Sequence, residues 1–403
     1  MTAPTLPVPR IRFGVDAIAS AREYAASIAD GVIERDEAGV VPFSELAALD
    51  ASGLLGITVP ASHGGPELPA SVLAEVIRSI ALVDPAIAQI PQGHFLLVDV
   101  LAVWGSEEQQ RQLFRSVLGG GRLGNGLAER GGKHAQDLKT RLIKTDGGLR
   151  LRGRKYYCTG AITSRFIGVS ALDDDGRLVL VFVSRDAPGV SVDDDWDVMG
   201  QRATVSGTTT LDDVPVDPDL VVPYSRAFEV PQQLGARAQL VHTAIQVGIA
   251  GAALRDAGSF VRTRARPFFE AARAGFAERA SEDPHVIGRY GRLAARVHAA
   301  EALLRSAAAT LDSVTREPRD AVEAARGSLA VAEAKAFASE VAVSASSELF
   351  ALTGASATDR RYDLSRHWRN ARTHASHDPV DWKYHHIGNY LLNDTLPPNH
   401  GQI

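Results

Sequence analysis

Residues 138–157 read LKTRLIKTDGGLRLRGRKYY, two short alternating runs joined by Asp146-Gly147-Gly148. A period of two on either side of an Asp-Gly turn is the signature of paired strands. The pattern returns downstream in LVLVFVS at 178–184 and TTTLDDVPV at 208–216, with further turns at Asp175-Gly176 and Pro188-Gly189. Residues 124–224 therefore read as an antiparallel β-domain of about seven strands.

Both flanks of that domain change period. From Ala17 to Leu118 apolar residues recur every three or four positions, as at Ala17, Ile18, Ala21, Tyr24, Ala25, Ile28 and Val32, which predicts a helical layer. The HGGP turn at His63–Pro66 joins two of its helices, and His63 reads as a loop residue. From Pro231 to Leu352 the chain is alanine-rich, with breakers only near Asp283-Pro284 and Glu317-Pro318, so it predicts a four-helix bundle. The expected division is 1–122 helical, 123–228 β, and 229–403 bundle with a histidine-rich tail, an α+β class overall.

Composition narrows the function classes. A chain of 403 residues that is 45% hydrophobic builds a large core. The net charge of −5 with interspersed signs lacks the basic stripe of a nucleic-acid binder. The single cysteine, Cys158, forms no internal disulfide, suits a reducing cytoplasm, and reads as buried packing rather than a reactive thiol. MTAPTLPVPRIRFG at the N-terminus has no apolar leader core and no run of about eighteen apolar residues follows, so neither secretion signal nor membrane span is expected.

Candidate chemistry concentrates in RRYDLSRHWRNARTHASHDPVDWKYHHIGNYLLN at 360–393, which holds five of the twelve histidines and two of the four tryptophans. Asp378 before Pro379 reads as an N-cap, with Asp381 at the third position of a helix running to Tyr390. His377 and His374 then lie just outside a helix N-terminus, where partial positive charge favours anions and keeps a nearby imidazole neutral. Three readings of the pair stand. His-x-x-His with a carboxylate offers metal ligands, but no Glu-bearing zinc motif accompanies it and no metal is expected. A capped helix with mutually satisfied histidines is the plain alternative. The third is a cofactor or proton-transfer site.

The order helices, strands, helices, together with ASGLLGITVPASHGG at 51–65, KYYCTGA at 155–161 and MGQRATVSGTTTLDDVPV at 199–216, resembles the acyl-CoA dehydrogenase superfamily over nearly the full length. Members hold a flavin between a central antiparallel β-barrel and the C-terminal bundle. Within it, LGNGLAER at 123–130, DDWDVMGQR at 194–202, RTRARPF at 262–268 and above all WRNARTHASHDP at 368–379 are similar to the flavin-dependent monooxygenases of sulfur compounds. The dehydrogenases carry a catalytic glutamate near the chain end. Here that region reads Arg372-Thr373-His374-Ala375-Ser376-His377, which moves the expectation from dehydrogenation to oxygen activation, with Glu270 on the bundle left as a candidate base.

The resemblance implies a two-component monooxygenase in which reduced FMN and O2 form a C4a-hydroperoxide that oxygenates a small, possibly sulfur-containing molecule. FMN is favoured and FAD remains open. Histidine titrates near working pH and suits the proton that such chemistry needs. His377 is the first candidate for that role, with His374 as its partner or a flavin contact. By the resemblance Asn125 and Thr159 line the flavin ring, Trp196 flanks it, Ser206 lies on the phosphate side, and Arg266 reaches the phosphate from a neighbouring subunit. That last point implies an oligomer, expected to be a homotetramer.

Gln89 and Gly93 stand where relatives carry histidine and tyrosine in the substrate pocket, and His94 follows them; the substrate is therefore expected to differ. GGGRLGNG at 119–126 looks like a dinucleotide loop but no βαβ unit surrounds it, so electrons are expected from a separate flavin reductase. Two alternatives remain: an acyl-CoA or nitroalkane-type flavin dehydrogenase or oxidase, and a flavin-binding protein without catalysis.

Overall fold

The sheet is entered from a layer of helices: α1 (Gly14–Ser27), α2 (Val32–Ala38), α3 (Phe43–Ala51), α4 (Ala70–Ala81), α5 (Pro85–Gln89), α6 (Gln92–Trp104) and α7 (Glu107–Leu118). The computed structural model describes residues 8–134 and 137–403, so the reading of residues 1–7 as free of a leader lies outside the described residues. Ser106 and Gln109 form a capping box that starts α7, and Asp84 caps α5 by accepting from the Ala86 and Ile87 N–H groups. Among the described residues, Pro85–Trp104 alone is long and apolar enough to cross a membrane, yet most of it is buried inside the protein. It is core.

Eight strands follow among the described residues: β1 (Leu123–Gly126), β2 (Arg141–Thr145), β3 (Gly148–Lys155), β4 (Phe166–Leu172), β5 (Leu178–Ser184), β6 (Val190–Val192), β7 (Thr209–Val216) and β8 (Val221–Val222). The hairpin read from Asp146-Gly147 is present, with Thr145 opposite Gly148. The expected antiparallel barrel is corrected to an open mixed sheet in the order β6-β7-β3-β2-β4-β5-β8, with β1 on β4. β1 runs parallel to β4, and so does β2 at Arg141 opposite Leu172. The reason lies in the connections: β1 arrives from α7 rather than from a hairpin, and a strand delivered by a long connection is free to pair parallel.

β4 and β5 are buried on both faces, which explains their unbroken apolar sequences. Leu180 and Phe182 pack with Leu97, Val98 and Phe114 of α6 and α7, while Val179, Val181 and Val183 face Leu151, Val169 and Val214.

After α8 (Arg226–Glu229) come three long helices, α9 (Leu234–Thr263), α11 (Pro284–Asp312) and α12 (Ala321–Thr353), with the short α10 (Phe269–Arg273) between the first two. The expected four long helices are thus three; α4 of the first layer lies against α9 and α11 instead. Ile77 and Ile80 of α4, Ile245 and Ile249 of α9, Leu304 of α11 and Val341 of α12 share one apolar core with Ala371 of α13 (Ser365–Ala375). α13 packs on α9 and α12, and α14 (Val380–Asn393) on α12. Gly200 lets the loop between β6 and β7 meet α13, because a Cβ there would lie 2.1 Å from the Arg369 carbonyl oxygen. Beside it the Gln201 N–H donates to Asn370 Oδ1.

Candidate active site

α13 buries His367, Asn370, Ala371, His374 and Ala375, positions spaced by three and four along one face. That face meets α9, where Gln239, His242 and Gln246 form a buried polar stripe. His242 Nδ1 lies 3.2 Å from His374 Nε2, and Gln89 Oε1 lies 3.1 Å from the same nitrogen. Gln89 Oε1 accepts, so the His374 proton sits on Nε2 and His242 Nδ1 faces it as a second acceptor. His374 Nδ1 is left buried without a partner among the described residues. Burial pushes His374 down to about 3, aided by nearby His377 and Lys335, and lowers His242 well below the usual histidine range. Both rings are neutral at physiological pH.

His377 is placed differently. Its side chain is 44% exposed, its ring centroid is 4.2 Å from that of His242, and its Nδ1 is 3.0 Å from Asp378 Oδ1. The N-cap expected of Asp378 is corrected: α14 starts at Val380 with no side-chain cap, because the carboxylate is drawn to buried Lys335 of α12 and to Lys383 of α14, whose Nζ lies 2.9 Å from Oδ2. Burial alone would raise Asp378; its bond to His377 and the two ammonium groups hold it far below the carboxylate range. Burial pulls Lys335 down to about 8 against the opposing charge of Asp378.

The sheet contributes a second set. Thr159 Oγ1 is 2.7 Å from Ser206 Oγ, which is 2.8 Å from Thr204 Oγ1, and Thr204 donates to the Gln201 carbonyl at 2.9 Å. Because each hydroxyl has one proton, donation runs Thr159 to Ser206 to Thr204 to Gln201, leaving Thr159 oxygen as an acceptor. Trp196 Nε1 donates to the same carbonyl at 2.9 Å, and its ring meets the Tyr157 ring edge-on at 6.0 Å. The Asn125 N–H donates to the Thr159 carbonyl at 3.3 Å, and Asn125 Oδ1 accepts from Leu127 N–H at 3.0 Å, which frees the amide nitrogen as a donor. The α5–α6 junction joins the two sets, since Gln89 touches His374 and a Cβ on Gly93 would lie 3.0 Å from Asn125 Cβ.

Three candidates stand apart, along with His63, which reads as a loop residue. His94 is fully buried with both ring nitrogens used: Nε2 lies 2.9 Å from the Leu55 carbonyl, and Nδ1 accepts from Leu123 N–H at 3.1 Å. Burial pushes it down to about 4. It ties the helical layer to β1. Arg266 is exposed after the end of α9, without an ion pair among the described residues. A helix rises about 1.5 Å per residue, which puts the end of α9 at Thr263, three residues before Arg266, roughly 30 Å from His242. Glu270 is exposed on α10 and His63 closes a 3-10 turn, both outside the cluster.

His242, Lys335, Lys383 and Tyr157 were not legible as site residues. For α9 a signal existed, since Gln239, His242 and Gln246 recur at helical spacing. Lys335 gave none, being one cation in an alanine-rich run.

A planar heteroaromatic with alternating N–H and C=O groups fits this arrangement. His374 Nδ1, Gln246 Nε2 and both amide atoms of Gln201 are buried without partners among the described residues, and Trp196 and Tyr157 offer ring faces.

Sequence models of the acyl-CoA dehydrogenase N-terminal, middle and C-terminal domains match residues 16–121, 126–214 and 240–382. The chain is 34% identical to dibenzothiophene monooxygenase of Mycolicibacterium goodii over 95% of each chain. It is 32% identical to the probable FMNH2-dependent monooxygenase SfnC of Pseudomonas putida over 98% of each. Among solved structures, FMN-bound TdsC from Paenibacillus sp. A11-2 superposes with a TM-score of 0.91 at 30% identity, covering 96% of this chain and all of that one. Methanesulfinate monooxygenase MsuC from Pseudomonas fluorescens gives 0.87 at 30% identity, covering 96% and 99%. The chain belongs to the acyl-CoA dehydrogenase family, on its flavin-dependent monooxygenase branch.

Proposed function

We propose that the protein is a monooxygenase that uses reduced FMN and O2 to oxygenate a small sulfur-containing molecule. One observation carries the reading beyond kinship: the carboxylate of the histidine cluster, Asp378, is held by two buried lysines and cannot serve as the base that a dehydrogenase requires. Reduced FMN, when bound, supplies the electrons that activate O2.

The chain's own residues do the rest. The Asn125 amide nitrogen would donate to a bound flavin and Thr159 would accept from it, with Trp196 and Tyr157 beside them. Ser206 orients Thr159. Neutral His374, whose Nε2–H is taken up by Gln89, offers its unpartnered Nδ1 as an acceptor, so it would hold a ligand and not deliver a proton. His377, exposed and hydrogen-bonded to Asp378, exchanges protons with solvent and passes them inward. Gln89 and Gly93 border the substrate's place.

Arg266, just past the far end of α9 from the cluster, suits the phosphate of a neighbouring copy, and the exposed Phe268 and Phe269 beside it favour packing between chains. This supports a homotetramer. Among the described residues the loop at 119–126 leads from α7 into β1 without a βαβ unit, which supports delivery of reduced flavin by a separate reductase.

The test uses photoreduced FMN, 18O2 and either dibenzothiophene or methanesulfinate. One 18O atom entering a sulfur product supports the reading. Substrate-driven bleaching of bound oxidised flavin without O2 uptake overturns it in favour of a dehydrogenase.

A further inference from the structure

Of the chain's four Asp-Pro steps, Asp217-Pro218 opens a 3-10 turn and the other three lie at α-helix starts and can be compared directly. Asp84 before Pro85 accepts from Ala86 and Ile87 N–H, and Asp283 before Pro284 accepts from His285 and Val286 N–H. Both act as ordinary N-caps. Asp378 before Pro379 leaves α14 uncapped and turns its carboxylate inward. The stabilisation forgone at the cap is replaced by two ammonium groups from different helices, both buried.

Those groups divide the carboxylate between them. Lys335 of α12 donates to Asp378 Oδ1, the oxygen that also lies 3.0 Å from His377 Nδ1, and Lys383 of α14 lies 2.9 Å from Oδ2. Each lysine has a second anchor: Lys335 donates to Gln239 Oε1 on α9, and Lys383 to the main-chain carbonyl of Gln402. The carboxylate is thereby fixed from α9, α12, α14 and the segment around Gln402. With both oxygens engaged by cations it stays ionised, so Oδ1 is an acceptor only and the proton of the hydrogen bond belongs to His377 Nδ1.

We propose that Lys335 and Lys383 are positioning residues for His377, acting through Asp378 to hold its imidazole by Nδ1–H and leave Nε2 as the nitrogen that exchanges protons with the site. The importance of that nitrogen rests on the function proposed above, whereas the clamp itself does not depend on it. Both lysines are buried and bonded to Asp378 and to their second anchors, Gln239 and the Gln402 carbonyl. Two lysines against one carboxylate also leave a surplus positive charge facing His242, His374 and His377, which disfavours an added proton on the two buried rings.

The test is the tautomer of His377 in the full-length, FMN-loaded protein. Solid-state 15N spectra of histidine-labelled protein in neutral buffer, where Lys335 stays charged, assigned by difference against His377→Gln, report which ring nitrogen carries the proton. The wild type is expected to show His377 as a single Nδ1–H species and His374 as Nε2–H. Lys335→Met or Lys383→Met is expected to lower the Nδ1–H share of His377 at least about twofold while His374, held by Gln89, keeps its signature.

A wild-type His377 in the Nε2–H form overturns the proposal without any variant, which covers the case in which a lysine variant does not fold. So does an unchanged tautomer in lysine variants with wild-type melting curves. If the clamp fails while His377→Ala still releases excess peroxide, only the positioning role is lost. If the clamp holds and His377→Ala stays fully coupled, the functional reading of His377 is lost instead.

Discussion

His374 and His377 are three residues apart and have opposite surroundings: one ring is buried between Gln89 and His242, the other is exposed and tied to a carboxylate. Under the proposed function the difference would give them separate tasks, fixed hydrogen bonding for His374 and proton exchange for His377. His94 shows why residue type alone does not define a site. Its two partners are main-chain atoms of Leu55 and Leu123, far apart in sequence, so nothing local distinguishes it from a pocket histidine. His94→Ala strands a buried carbonyl and a buried N–H and opens a cavity, and is expected to destabilise the fold by about 2–4 kcal/mol. Urea unfolding measures this loss, and FMN affinity of the folded fraction should remain within about twofold of wild type.

Segments differ in how far their sequences announce them. The β2–β3 hairpin was legible because alternation and Asp146-Gly147 act over a few residues, and α9, α11 and α12 were legible as long runs with few breakers. The parallel pairing of β1 with β4 was not, because it joins residues about forty apart through side chains that read equally well in an antiparallel register. Asp378 failed for a related reason: Asp-Pro predicts a cap unless a distant cation competes, and Lys335 sits 43 positions away. At the 199–206 segment the decisive feature is Gly200, which brings that turn onto α13. Gly200→Ala is expected to cost about 3 kcal/mol and to loosen the Gln201–Asn370 link. Its check is a lower melting temperature together with weakened FMN binding.

For the molecule as a whole, acid is the weak side. His94 and His374, pushed down to about 4 and 3 by burial, stay neutral in the folded chain while their unfolded forms take up protons below the ordinary histidine value near 6.5. Stability is therefore fully present above that value and falls as pH drops toward the folded values. Each is expected to contribute about 2 kcal/mol of loss between pH 7 and pH 5, with His242 acting in the same direction. The urea midpoint of wild type should fall over that interval, and less so in His94→Gln. Assembly has its own test: Arg266→Ala should weaken FMN binding about tenfold and riboflavin binding little, because only FMN carries the phosphate. Equal loss for both ligands would remove Arg266 from the phosphate site.

The central claim is that an imidazole near the chain end, rather than a carboxylate, manages the proton when reduced FMN meets oxygen. It is tested most directly by mixing protein loaded with reduced FMN against O2 and following hydrogen peroxide release alongside O2 uptake. Wild type is expected to release peroxide well after O2 is taken up, and His377→Ala to shorten that delay at least about tenfold with folding and FMN affinity preserved. Identical delays in the two proteins would contradict the account.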